Sequence, residues 1–190
     1  MLFGSQKILP AVKTGRELEK LLDSPYVYIV LLGGRLARLR PMIELAEKAG
    51  KKVLLHADLV DELKNDEYAA EYLCQAVRPA GLISTRSSVV QKAKQNKLIA
   101  VQRIFLIDSG ALENSFALFE KVRPDYIEVL PGIVPSLIEE VKQRAGVPII
   151  AGGFIRSAAE VNAALSAGAV AITTSRQELW DTGLGREQDG

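Results

Sequence analysis

Two consecutive glycines, Gly152-Gly153, precede a helix-opening pattern at Ser157 and Glu160, and the apolar run that follows ends in Thr173-Thr174-Ser175. This is the stretch whose residue types speak most directly of chemistry. Glycines let backbone N–H groups approach an anion, the hydroxyls of Thr174 and Ser175 add donors, and a helix starting near Ser175 would add a favourable dipole. Together they suit a phosphate group. The plainer alternative is a tight strand-to-helix turn at Gly152-Gly153 and a simple cap at Thr174-Ser175. The two halves in this order favour the anion site.

A second group of residues could bind or move protons. His56 and Asp58 share parity if the chain there is extended, so both side chains would point the same way. They could act as a base with its orienting acid, as metal ligands or as acceptors for ligand hydroxyls, or His56 could simply be a hydrogen-bonded anchor for the next loop. His56 is the only histidine, which excludes a three-histidine zinc site. Glu128 lies between Ile127 and Val129, where burial of an unpaired carboxylate is costly, so it calls for a partner such as Arg103 or a ligand hydroxyl. Arg103 could instead contact an anion. Asp58 and Glu128 leave magnesium conceivable, but no metal and no cofactor is assigned. None of the expected strands ends in a lysine, and Cys74 falls in a helix, so neither supplies an obvious nucleophile. Arg35, Arg38 and Arg40 form the one local concentration of positive charge and are the candidate contacts for nucleic-acid phosphates.

The elements that must position these groups follow from the spacing of apolar runs. Eight such runs are expected as strands: 7–12, 26–31, 52–57, 81–85, 98–105, 126–130, 147–151 and 169–173. Most are apolar on both faces, as parallel strands covered on both sides require. Between them lie helical patterns: Thr14 with Glu17 and Ser157 with Glu160 have capping-box spacing, Pro41 and Pro135 read as first helical residues, and 66–77 and 110–122 read as helices. Eight strand-helix units predict an α/β fold, a small (β/α)8 TIM-type barrel, over a doubly wound open sheet. Such barrels typically take about 250 residues, so the 190 here imply a shortened last helix. The expected organisation is a single barrel domain over 1–180 and a flexible tail over 181–190. An apolar strip left bare beside Trp180 would be covered by another subunit, making the protein a homo-oligomer.

Composition narrows the class. With 48% hydrophobic and 25% charged residues and a net charge of +1, the chain can build a core and lacks the basic excess usual in nucleic-acid binders. The single cysteine and the absence of a signal-peptide pattern point to the cytoplasm, and no apolar run is long enough for a membrane helix.

The stretches His56-Ala57-Asp58-Leu59, Gly81-Leu82-Ile83-Ser84-Thr85-Arg86, Gln102-Arg103-Ile104-Phe105-Leu106-Ile107-Asp108-Ser109, Glu128-Val129-Leu130-Pro131-Gly132 and Ala151-Gly152-Gly153-Phe154-Ile155 resemble the glycerol-3-phosphate-responsive antiterminators. The resemblance spans nearly the whole chain. It implies a barrel that binds glycerol 3-phosphate and, so loaded, acts on the mRNA leader of glycerol-utilisation genes to promote transcription antitermination, without turnover. The ligand phosphate would sit at Gly152, Gly153, Thr174 and Ser175. Its hydroxyls would lie near Asp58, His56, Glu128 or Arg103, and RNA would meet Arg35, Arg38 and Arg40. The alternative is a phosphosugar or phosphotriose isomerase or lyase on the same barrel.

Overall fold

The computed structural model describes residues 2–64 and 66–180, so the expected tail at 181–190 lies outside the described residues. The element order is β1 (Ile8–Val12), α1 (Gly15–Glu19), β2 (Tyr28–Leu31), β3 (Gly34–Arg35), α2 (Leu36–Lys48), β4 (Lys52–His56) and β5 (Val60–Asp61). Then follow α3 (Glu67–Tyr72), β6 (Gly81–Ser84), α4 (Ser87–Gln95), β7 (Ile99–Phe105), α5 (Ser109–Val122) and β8 (Tyr126–Leu130). The chain continues with α6 (Pro135–Ala145), β9 (Ile149–Gly152), α7 (Ala158–Ser166), β10 (Ala169–Thr174) and α8 (Gln177–Trp180).

Eight strands close into a barrel in the order β1-β10-β9-β8-β7-β6-β4-β2, and β3 with β5 forms a separate two-stranded pair. The barrel pairings with a resolved register are parallel. This is the TIM-type architecture anticipated from the apolar runs, with its short last helix: within the described residues α8 has four residues.

The chain folds as two compact units, Ala11–Gln102 and the remainder formed by Met1–Pro10 with the chain from Arg103 onward. In the first, Val30, Leu31, Leu54, Leu55, Leu82 and Ile83 are fully sheltered, and Leu39, Ile43, Val89 and Val90 of α2 and α4 pack with them. In the second, Ile8, Leu9, Ile127, Val129, Ile149 and Ile150 form the strand core, covered by Ile138, Val141, Val161 and Ala164 of α6 and α7. Each of the valine, leucine and isoleucine side chains among them stabilises the fold by about 1.5–3 kcal/mol relative to exposure.

Both anticipated capping boxes form. Thr14 Oγ1 accepts from Glu17 N at 3.3 Å while Glu17 Oε2 accepts from Thr14 N, and Ser157 with Glu160 repeats the arrangement at α7. Pro41 departs from expectation. It is the sixth residue of α2, which begins at Leu36. The ring removes one donor and leaves the Ala37 carbonyl without its helical partner, but Ala37 is exposed and water can take that place.

The short β3–β5 pair was not anticipated. It joins the segment after β2 to the segment after β4, with Gly34 opposite Val60 and Arg35 opposite Asp61. Gly33, at φ +74°, passes so close to the Leu59 carbonyl that a Cβ there would overlap it.

Candidate functional site

In the unit that begins at Arg103, the chemistry gathers around one buried carboxylate. Glu128, in the middle of β8, has no solvent exposure. Its Oε2 accepts from Arg103 Nε at 2.6 Å and its Oε1 from Thr173 Oγ1 at 2.6 Å. Arg103 is itself largely buried, with its side chain 12% exposed. Removing either charge would leave the other uncompensated, a change that typically costs about 3–5 kcal/mol. Of the partners expected for Glu128, an arginine or a ligand hydroxyl, Arg103 is in place.

Gly152 closes β9 directly against this group. In the β9–β10 register it stands opposite Thr173, and a Cβ on it would collide with Thr173 Oγ1 and stand 2.9 Å from Glu128 Oε1. Gly153 then turns the chain at φ +79°. The glycine pair is therefore needed for close approach and for the turn, whatever it binds.

Thr173 and Thr174 face opposite ways, as neighbours on a strand do. Thr173 serves Glu128. Thr174 Oγ1 accepts from Arg176 N at 3.2 Å, and its carbonyl accepts from Trp180 Nε1 at 2.9 Å. Ser175 is exposed. Close to Ser175, as expected, a helix does begin: α8 starts at Gln177, and its four described residues lend little dipole. Trp180 is buried, and its indole N–H is bonded within its own chain. The N-terminus of α7 is also occupied: Glu160 Oε2 accepts from Arg156 N at 2.6 Å and Ser157 N at 2.9 Å, and these bonds hold the Glu160 carboxyl below its ordinary pKa.

The unit Ala11–Gln102 holds a separate polar network. His56 is the buried last residue of β4, but Asp58 lies beyond the strand, in a 3-10 turn over Ala57–Leu59, so the shared-parity expectation fails. The Asp58 carboxylate accepts from Ser84 Oγ, from Thr85 N at 2.7 Å and from Thr85 Oγ1 at 2.8 Å. Gln102 Nε2 donates to the carbonyls of Ser84 at 3.2 Å and Thr85 at 2.9 Å. Asp58 thereby fixes the turn from β6 into α4. Ser84, Thr85, Gln102 and Thr173, polar residues within or at the ends of the expected strands, prove to be the hydrogen-bonding neighbours in these two networks.

The arginine segment is less uniform than its sequence implies. Arg35 belongs to β3, and Arg38 and Arg40 to α2. Arg35 and Arg38 are exposed, and Arg35 stands opposite Asp61 in the β3–β5 register. Arg40 is tied to Glu44 at 2.8 Å and to the Val77 carbonyl at 3.1 Å. Among the described residues no group of three or more His, Cys, Asp or Glu side chains could hold a metal ion, and no helix is long and apolar enough to cross a membrane.

The family model of the glycerol-3-phosphate responsive antiterminators matches residues 8–180. The chain belongs to this antiterminator family. Its structure is similar to that of the glycerol uptake operon antiterminator regulatory protein of Listeria monocytogenes str. 4b F2365, with 45% identity, a TM-score of 0.93, and coverage of 96% of this chain and 98% of that one. It is also similar to a glycerol uptake operon antiterminator-related protein of Thermotoga maritima, at 26% identity and TM-score 0.81, covering 93% of this chain and 99% of that one. An uncharacterized protein of Escherichia coli (strain K12), YgcP, is 28% identical over 94% of both chains. Likeness to aldolase barrels is at the level of fold alone.

Proposed function

We propose that the protein is a cytoplasmic regulator that binds glycerol 3-phosphate and, in that state, engages the mRNA leader of glycerol-utilisation genes to promote transcription antitermination. Membership of the antiterminator family over residues 8–180 carries the reading. The phosphate is assigned to the Gly152-Gly153 turn with Thr174 and Ser175, and Arg103 and Glu128 of the same unit lie within the network behind that turn. His56 and Asp58 were the other candidates for the glycerol end. Asp58 is mainly engaged in holding the turn from β6 into α4.

Family membership supports a receptor without turnover, and both candidate carboxylates have structural work: Glu128 pairs with Arg103 and accepts from Thr173, and Asp58 accepts three hydrogen bonds.

For regulation, glycerol 3-phosphate must favour the RNA-binding state, and a tenfold gain in RNA affinity needs about 1.4 kcal/mol of coupling. By reciprocity, RNA would tighten the ligand equally. Leader-RNA affinity measured with and without glycerol 3-phosphate tests the proposal, and equal values would remove it. Multiple turnover of small phosphorylated sugars would instead restore the enzyme reading.

A further inference from the structure

Four large apolar side chains of the unit that begins at Arg103 stand in solvent just past strand ends. Phe105 is 53% exposed at the end of β7 and Ile107 84% exposed beyond it, Ile133 follows β8, and Phe154, 64% exposed, follows β9. These strands are neighbours in the barrel. Their trailing segments are bonded together, Leu106 N to the Leu130 carbonyl at 2.8 Å and Gly132 N to the Gly152 carbonyl at 2.6 Å. The four side chains therefore belong to one braced rim.

Phe154 is the decisive member. Its φ is +61°, a left-handed conformation that a bulky L-residue adopts at a cost of about 1–2 kcal/mol. Its ring is left largely in water, so core packing does not offset that cost. Backbone outliers of this kind cluster where a ligand is clamped. The Arg156 guanidinium lies 5.7 Å from the ring centroid. Arg156 and Arg176 are both exposed, after β9 and β10. Of the carboxylates in these segments, Asp108 accepts from Ala111 N and Glu160 from Arg156 N and Ser157 N, while Glu178 on α8 stays exposed. An exposed aromatic face beside a guanidinium, as Phe154 has in Arg156, is the chemistry that receives an unpaired nucleobase and its phosphate.

We propose that this rim receives single-stranded leader RNA, with Phe154 and Phe105 each stacking a base and Arg156 and Arg176 meeting phosphates. The inference rests on the regulatory reading above and assigns its RNA face. It replaces Arg35, Arg38 and Arg40, where Asp61 and Glu44 dilute the charge. Tyr68 and Tyr72 on α3, also exposed, are flanked by Asp66, Glu67 and Glu71, which would repel phosphates. Phe154 directly follows the Gly152-Gly153 turn. An anion held on that turn would fix the peptide that aims the ring, so effector and RNA would share one short segment.

The test is anisotropy of labelled leader transcripts of glycerol-utilisation genes at saturating glycerol 3-phosphate, with saturation checked by calorimetry. Phe154→Gly suits the backbone conformation and should fold. It should weaken RNA about tenfold, equivalent to about 1.4 kcal/mol, without changing the salt dependence. Phe105→Ala should behave likewise, and Arg156→Gln should reduce the salt dependence. Wild-type affinity in both phenylalanine variants would overturn the assignment, as would loss of RNA only in an Arg35→Ala, Arg38→Ala double variant. Unchanged RNA affinity with altered sedimentation would also overturn it, by making the rim a contact between copies. If the wild-type protein itself fails to bind the transcripts, the regulatory reading falls instead.

Discussion

Replacing Gly152 with alanine adds one methyl group at the tightest point behind the proposed phosphate turn. The new carbon would overlap Thr173 Oγ1 and stand 2.9 Å from Glu128 Oε1, so the 2.6 Å bond between those two side chains cannot survive unchanged. Overpacking of a rigid site costs about 1–3 kcal/mol, and a hydrogen bond to a charged group contributes about 1.5–3 kcal/mol. Together they amount to about 2.5–6 kcal/mol, or a fall in Tm of about 5–25 °C for a chain of this size. Thermal and urea unfolding measure the loss directly. A double-mutant cycle with Thr173→Ala tests the cause. Without the hydroxyl the added methyl has more room, so Gly152→Ala should cost less in that background, with a coupling of about 1–3 kcal/mol. If the two single effects add within about 0.5 kcal/mol, the collision at Thr173 is not the reason for the glycine.

Other consequences are open to measurement. Gly153→Val would place a β-branched residue at φ +79° against Leu130, and glycerol 3-phosphate affinity by calorimetry should fall at least about tenfold; undiminished affinity would relocate the phosphate. Glu160 has its pKa lowered below the ordinary 4.5, first by the Arg156 N–H, so its stabilisation is complete above that value and is lost as pH falls through the depressed one. The stability gap between wild type and Glu160→Gln should therefore be widest near neutral pH and close in acid; a gap independent of pH would contradict the capping account. Burial pushes the Cys74 thiol up to about 11. Ellman's reagent at pH 8 should react slowly with the native protein and promptly after unfolding, whereas rapid native labelling would refute that environment.

The eight barrel strands were legible because continuous apolar runs need cover on both faces, a demand that short stretches such as Tyr28–Leu31 and Ile149–Gly152 carry on their own. The need for a partner at Glu128 was legible for the same kind of reason, since a carboxylate between Ile127 and Val129 must find a cation or a hydroxyl. Which threonine serves it was not. That choice depends on the β9–β10 register, which puts Thr173 opposite Gly152, and register arises from contacts between strands distant in sequence. The start of α2 was misplaced because Pro41 is a good first residue, yet it is tolerated deeper where the orphaned carbonyl faces water. Asp58 was misread because a 3-10 turn interrupts the extended chain immediately after His56. Nor could the exposure of Phe154 be foreseen: it follows from a backbone angle that phenylalanine ordinarily avoids.

Connections beyond strand ends are ordinarily the parts of a protein freest to lengthen, which is how one scaffold acquires many lids and specificities. The β3–β5 pair withdraws that freedom from two of them. With Gly33 pressed on the Leu59 carbonyl and Gly34 and Arg35 bonded along Val60 and Asp61, a residue inserted into either segment must slide the other out of step. Descendants of this chain would find new loops easier to grow elsewhere, and these two connections should keep their spacing even as their side chains drift.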